Sequence, residues 1–247
     1  MTEVWSHRGR VAGRPGITEN TPEAFVSAAA AGVEGVELDT WRTLDGAWVV
    51  HHDRSTARGD LDRLQAADVP EVPDLEAVLG ACEVTTVNVE LKVAEEATAA
   101  EAANLGRGLG RWLTRWSSSR AQEEGGASPR LVVSSFSEAA LAAARAAGRP
   151  GAGGAAYATG LLLTAPPGPE HLRELAASGD WAVHVLHEAL DERAVRACHD
   201  LGLAVVAWTV DEEADASRLI GAGVDVLITD DPERILAVRD ARRPDGR

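Results

Sequence analysis

Lysine is almost missing from this chain: Lys92 is the only one, and every other basic side chain is arginine. The abundance of Ala, Gly and Arg points to a coding bias against lysine. A survivor of that bias marks a position where arginine does not serve, the alternative being chance. Cysteine is scarce as well. Cys82 and Cys198 stand far apart without metal-type spacing and read as two buried free thiols. They offer no disulfide framework of the kind that marks small secreted domains. No run is long and apolar enough to span a bilayer. The segment Met1 to Ser6 has neither the basic region nor the apolar stretch of a signal peptide, so the expected location is the cytoplasm. Positive charge is in deficit, with 24 basic against 39 acidic residues and a formal charge of −15. That excludes general nucleic-acid binding, which depends on neutralising phosphates, and adhesion to an anionic membrane surface. A small anionic substrate remains open if a few cations gather at one place. There is no Gly-rich dinucleotide fingerprint and no phosphate-cradling Walker loop.

What is present is a regular alternation. At 247 residues and 45% hydrophobic content the chain can build one large core, and (β/α)8 barrels take roughly 250 residues. Strand-like segments fall at Glu3 to His7, Glu34 to Thr40, Thr86 to Lys92, Leu131 to Ser134, Gly160 to Thr164, Trp181 to Val185, Ala204 to Val210 and Val224 to Thr229. Helix signals stand between them: Thr21-Pro22 as a start, Gly32 as a stop, a start at Pro73-Asp74, and an Ala-rich run from Glu95 to Trp116. Asp45-Gly46 reads as a turn and Trp48 to His52 as a short return off the second strand. Pro232 opens a last helix. Eight such units predict an α/β fold of TIM-barrel type, one domain over 1–240 with a loose polar tail at 241–247.

In such barrels the chemistry sits at the C-terminal ends of the strands. The rule selects His7 and Arg8, Glu37 and Asp39, Glu90 and Lys92, Ser134 and Ser135, Trp208, and Thr229 with Asp230. Strand side chains alternate, so Glu37 shares a face with Asp39, and Glu90 with Lys92. Three carboxylates converging from adjacent strands would repel one another, and a divalent cation relieves that. An all-oxygen shell favours Mg²⁺ or Ca²⁺. The plainer reading, ordinary ion pairs, holds for a lone Glu-x-Asp; two such strand ends beside two histidines weigh against it. His7 and His52 are the candidate proton-transfer groups, since imidazole titrates near neutrality. Alternation turns His51 away from His52. Asn20, after Glu19, could instead cap the first helix. His184, at a strand end, is a minor candidate.

His7-Arg8-Gly9, Glu19-Asn20-Thr21, Glu37-Leu38-Asp39, Thr43 with Asp45-Gly46, His52-Asp53, Glu90-Leu91-Lys92, Trp208-Thr209-Val210 and Thr229-Asp230-Asp231-Pro232 follow one another in order. Each is weak alone, but the ordered set resembles the glycerophosphodiester phosphodiesterase family over residues 7 to 232. The resemblance implies a phospholipase C-like TIM barrel that hydrolyses glycerophosphodiesters to an alcohol and glycerol 3-phosphate. It implies a metal held by Glu37, Asp39 and Glu90, and proton transfer by His7 and His52. Arg8 and Lys92 would contact phosphate, with Trp208 beside the substrate and Glu19 and Asn20 in support. The partner implied is a small molecule, with no nucleic acid and no membrane anchor. The chain departs from the family pattern in a longer loop between His7 and Glu19, in a degraded Arg54-Ser55-Thr56-Ala57-Arg58 element, and in an absent or minimal insertion after Asp53. These departures bear on the leaving group more than on the chemistry. The rivals are a related barrel acting on lysophospholipid or sphingomyelin, which needs an apolar approach to the mouth, and a non-catalytic binder of phosphorylated small molecules.

Overall fold

The computed structural model describes residues 1–10, 12, 16–121, 129–148 and 156–242. The chain opens on β1 (Glu3–His7) and crosses through α1 (Pro22–Ala30) to β2 (Gly35–Arg42). It turns back as β3 (Trp48–Val50), antiparallel to β2, so that Thr40 faces Val50. A small hairpin, β4 (Ser55–Thr56) with β5 (Gly59–Asp60), and two single 3₁₀ turns lead to α2 (Leu75–Ala81). This stretch is all that stands where a larger insertion could occur. The alternation then runs without interruption: β6 (Thr86–Leu91), α3 (Ala99–Arg120), β7 (Arg130–Ser135), α4 (Glu138–Ala147). It continues with β8 (Ala158–Leu163), α5 (Pro169–Ser178), β9 (Ala182–Leu186), α6 (Glu192–His199). It ends with β10 (Ala204–Trp208), α7 (Glu213–Ala222), β11 (Val226–Thr229) and α8 (Pro232–Ala241).

Among the described residues eight strands lie parallel in the order β1, β2, β6, β7, β8, β9, β10, β11, and β1 also pairs with β11, which closes the barrel. Closure leaves no parallel edge strand exposed. The strands are buried on both sides, as a parallel sheet covered by helices requires. Their outer faces pack on the helices through residues such as Val36, Leu38, Val87, Val89, Leu131 and Val205, all nearly inaccessible. Their inner faces meet in a second cluster built on Trp5, Val132, Ala182, Val206, Val226 and Ile228, so the barrel is filled below its mouth. No helix among the described residues is long and apolar enough to cross a membrane.

Most helix starts follow local capping chemistry. Thr21 accepts from the Ala24 amide, Asp74 from Ala77, Ser137 from Ala140 and Asp191 from Ala194. α3 begins later than the alanine run suggests. Thr98 and Glu101 form a reciprocal capping box there, with Thr98 in extended backbone, and the preceding residues do not join the helix. The same helix runs on to Arg120, although the polar, Gly-containing stretch Ser117 to Pro129 reads in sequence as a surface loop. Residues 122–128 of that stretch lie outside the described residues, as do 149–154 of a second stretch, Gly148 to Gly154, that reads as a loop, and residues 243–247 of the expected tail.

Candidate active site

The strand register brings the selected residues to one end of the barrel. His7 stands opposite Glu37, and Asp39 opposite Glu90. A cavity of about 140 Å³ opens there, lined among others by His7, Glu37, His52, Glu90, Lys92 and Trp208. One oxygen from each of Glu37, Asp39 and Glu90 can be chosen so that all three lie within 4.8 Å of one another. All three residues are at least nine-tenths buried.

The first loop is shaped by its backbone. Arg8 and Gly9 have φ of 56° and 71°, and a Cβ at Gly9 would meet Ala24 at 2.9 Å, so only glycine passes under α1 there. The turn closes with the Arg10 amide donating to the His7 carbonyl at 2.9 Å. It points the Arg8 amide at Glu37 Oε2, 3.2 Å away, and carries the guanidinium to Asp39, with Nε 3.2 Å from Oδ2. Arg8 Nη1 donates to Glu19 at 3.0 Å, so Glu19 braces Arg8 from outside. Asn20, also at positive φ, donates from Nδ2 to Asp39 Oδ2 at 2.9 Å and accepts from the Asp39 amide. Thr21 is the cap of α1, so Asn20 is left free to orient Asp39.

The charges around the carboxylates do not balance evenly. Lys92 Nζ lies 2.7 Å from Glu90 Oε1 and 2.9 Å from Asp39 Oδ1. Asp39 stays below the usual carboxylate range: burial works to raise it, and is the largest effect, but the charges of Lys92 and Arg8 and the bonds from Lys92 and Asn20 more than reverse it. Glu37 is pushed well above that range, by burial first and then by the negative charges of Asp39 and Glu90. Glu90 is also raised, mainly by burial. Lys92 is raised: burial, the largest effect, lowers it, and Glu90 with Asp39 outweighs that. Glu37 Oε1 is buried and has no hydrogen-bond partner. An oxygen-only donor set with an orphaned buried oxygen and too little positive charge fits a hard divalent cation.

The two imidazoles flank this cluster. His7 donates from Nδ1 to Asp230 Oδ1 at 2.6 Å, while its Nε2 is 3.9 Å from Glu37 Oε2. His52 lines the cavity and is anchored through Nδ1 to Asp53 at 2.9 Å. Burial, followed in effect by the opposing attraction of Asp39 and the repulsion of Arg8 and Lys92, leaves its pKa lowered. His51 bonds instead to the Asp53 carbonyl and does not line the cavity. Trp208 forms the opposite wall and packs edge-on against Phe136, with ring centroids 5.8 Å apart. Phe136 is 53% exposed and gives the mouth an apolar rim that composition alone did not show. It follows Ser134 at the strand alternation of two, a signal that would have found it. Asp230 was selected by its strand end, but its pairing with His7 needs the β1–β11 closure.

His184 is not part of this cavity. It faces the barrel interior, fully buried, with both ring nitrogens unpartnered and its ring over Gly160, where a Cβ would be 2.5 Å from Nε2. Burial pushes its pKa down to about 3. The ring is therefore neutral when folded, while the unfolded chain takes up a proton below its ordinary pKa. The resulting stability is fully present above about pH 6.5 and is lost as the pH falls toward the folded value. His184→Gln removes the titration and keeps a buried polar group. The stability difference between wild type and His184→Gln is expected to shift against wild type by about 1.4 kcal/mol per pH unit of acidification below that point. Urea melts of both proteins at neutral and mildly acidic pH measure it, and a pH-independent difference would mean the ring is not excluded from water.

Comparison with known proteins agrees with this geometry. The model of the glycerophosphoryl diester phosphodiesterase family matches residues 7–70 and 59–234. A protein of Caldanaerobacter subterraneus subsp. tengcongensis named glycerophosphodiester phosphodiesterase is 28% identical over 258 residues, covering 95% of this chain and 96% of its own length. The crystal structure of a glycerophosphodiester phosphodiesterase from Parabacteroides distasonis superposes with a TM-score of 0.81 at 22% identity, over 98% of each chain. The structure of an Oleispira antarctica phosphodiesterase, in complex with the product sn-glycerol-3-phosphate, gives 0.78 at 23% identity over 97% of each chain. These two show the shared fold. With the family match spanning nearly the whole barrel, the chain belongs to the glycerophosphoryl diester phosphodiesterase family and is a phosphoric diester hydrolase.

Proposed function

We propose that this protein hydrolyses glycerophosphodiesters to an alcohol and glycerol 3-phosphate, using His7 and His52 for proton transfer and a divalent cation, Mg²⁺ or Ca²⁺, held by Glu37, Asp39 and Glu90. The observation that carries the reading is a single cavity with two imidazoles on its wall and three buried carboxylates at its edge. The product found in the Oleispira antarctica phosphodiesterase is the half of the substrate that the reading requires. The cation, when bound, supplies Lewis-acid stabilisation of charge on the phosphoryl oxygens.

The chain's own residues do the rest. Arg8 and Lys92 bring positive charge to the phosphate, and Trp208 with Phe136 excludes water from one side. Asn20 and Glu19 hold Asp39 and Arg8 in place. One histidine takes a proton from the nucleophile, which is water or the glycerol 2-hydroxyl, and the other protonates the leaving alkoxide; on the second route the resulting cyclic phosphate is then opened by water to give glycerol 3-phosphate. The working unit is the barrel over 1–240. Purified protein incubated with glycerophosphocholine or glycerophosphoethanolamine should release glycerol 3-phosphate and the free alcohol in equal amounts. Release of glycerol with the phosphorylated alcohol would reverse the bond assignment, and no release from either compound would remove the reading.

Metal removal gives a second check. Exhaustive EDTA treatment is expected to abolish turnover, with recovery on adding Mg²⁺ or Ca²⁺ in excess. Full activity after chelation would leave the carboxylate cluster as a network of ion pairs with Lys92 and Arg8.

A further inference from the structure

His7 is anchored through a carboxylate that is itself gripped from behind. Asp230 Oδ1 accepts from His7 Nδ1, and Asp230 Oδ2 accepts from Arg10 Nη1, each at 2.6 Å. Arg10 also clasps Glu19, the same carboxylate that braces Arg8. The backbone of Asp230 is fixed independently, since its amide and the Thr229 hydroxyl both donate to Asp211 Oδ1, at 2.8 and 3.0 Å. Arg10 reaches this place because the left-handed turn at Arg8 and Gly9 folds the chain back beside β1. There the Ser6 hydroxyl donates to the Arg10 carbonyl at 2.6 Å. Arg10 lies outside the His-Arg-Gly and Glu-Asn-Thr elements and opens the longer loop of this chain.

We infer that Arg10 is a positioning residue that acts through Asp230 to hold the His7 ring in one orientation and one tautomer. A carboxylate with one oxygen bonded can still swing about its Cβ–Cγ bond. With both oxygens held by donors on opposite sides, its plane is set, and an imidazole donating from Nδ1 has one way to lie. That leaves Nε2 unprotonated and directed at the cavity beside Glu37. The arrangement follows the general rule that a proton-transfer imidazole needs its far nitrogen fixed. The strength required is small. Arg10 is 45% exposed, and ion pairs of that kind add little to stability. Its removal should therefore be felt in rate and ring geometry but hardly in melting temperature.

The rate part of the test rests on the phosphodiesterase reading; a spectroscopic part does not. In ¹⁵N-histidine-labelled protein at alkaline pH, where imidazole is neutral, long-range ¹H–¹⁵N correlations report the His7 tautomer directly. Wild type should show a single Nδ1–H form, and Arg10→Ala a mixture. With glycerophosphocholine as substrate, Arg10→Ala should lower kcat by about tenfold, the usual scale for a supporting partner, while KM stays within about twofold. Arg10→Lys, which can still reach Asp230 as a point charge, should recover part of the loss. Asp230→Asn should abolish the effect of Arg10, so that the double variant is no slower than Asp230→Asn alone. An unchanged His7 spectrum in Arg10→Ala would overturn the inference. So would losses that multiply in the double variant, or a change confined to KM, which would make Arg10 a substrate contact. If wild type failed to hydrolyse the substrate, the function would fall while the spectrum still decided the role of Arg10.

Discussion

Replacing His7 by alanine is expected to lower kcat by ~10²–10⁴, and replacing His52 to do the same, because each removes a general acid or base. His7 presents Nε2 to the cavity while Nδ1 is occupied by Asp230. His52 presents its ring to the cavity while Nδ1 is occupied by Asp53. Burial, the largest influence, lowers its pKa against the attraction of Asp39. His51 is the internal control. It is adjacent in sequence, yet bonds to the Asp53 carbonyl and stays off the cavity wall, so His51→Ala should keep most of the activity. Steady-state kinetics of the three purified variants, each checked by circular dichroism and thermal melting, decide the matter. A His51→Ala enzyme as inactive as His52→Ala and equally well folded would reverse the assignment of the pair.

The contrast between His51 and His52 shows how far local pattern reaches. Strand alternation is a property of the backbone, so Glu37 with Asp39 and Glu90 with Lys92 could be placed on shared faces from spacing alone. Helix starts at Thr21-Pro22 and Asp231-Pro232 were legible because capping is settled within a few residues. The start of α3 was not, because its run of alanines is equally compatible with several starts and the Thr98–Glu101 box decides among them. What sequence could not supply were pairings made by closure. His7 and Asp230 meet only because β1 lies against β11. Asn20 turns to Asp39 rather than capping α1 because Thr21 takes the cap and Asn20 adopts a left-handed backbone. His184 looked like a strand-end candidate by position, but its place on β9 sets it inside the filled barrel, below the mouth.

Lys92→Arg is expected to fold normally and to lose ~10²–10³ in kcat, the scale for removing one well-placed electrostatic donor. The ammonium sits between carboxylates from neighbouring strands, 2.9 Å from Asp39 and 2.7 Å from Glu90. Its raised pKa means it stays charged across the working range of pH, so it has no role as a base and acts by charge and position. Arginine keeps the charge and can keep both ion pairs, but it is a broad planar fork where lysine is a compact point on a thin stem. The site is narrow: Lys92 is largely buried, and the Arg8 guanidinium already occupies the other side of Asp39. A second fork must turn toward one carboxylate or intrude on the cavity, and either move takes positive charge away from the phosphoryl oxygens as they gain negative charge. The loss should therefore fall on kcat more than on KM. If Lys92 did no more than neutralise Asp39 and Glu90, arginine would serve as it does at every other basic position of the chain, and turnover would stay near the wild-type value. Lys92→Ala separates the two parts of the role. It should lose activity and also stability, because it leaves Asp39 and Glu90 buried with one cation fewer. Melting temperatures of the two variants beside their kcat values make the test: Lys92→Arg stable and slow supports the phosphate contact, and Lys92→Arg stable and fast removes it.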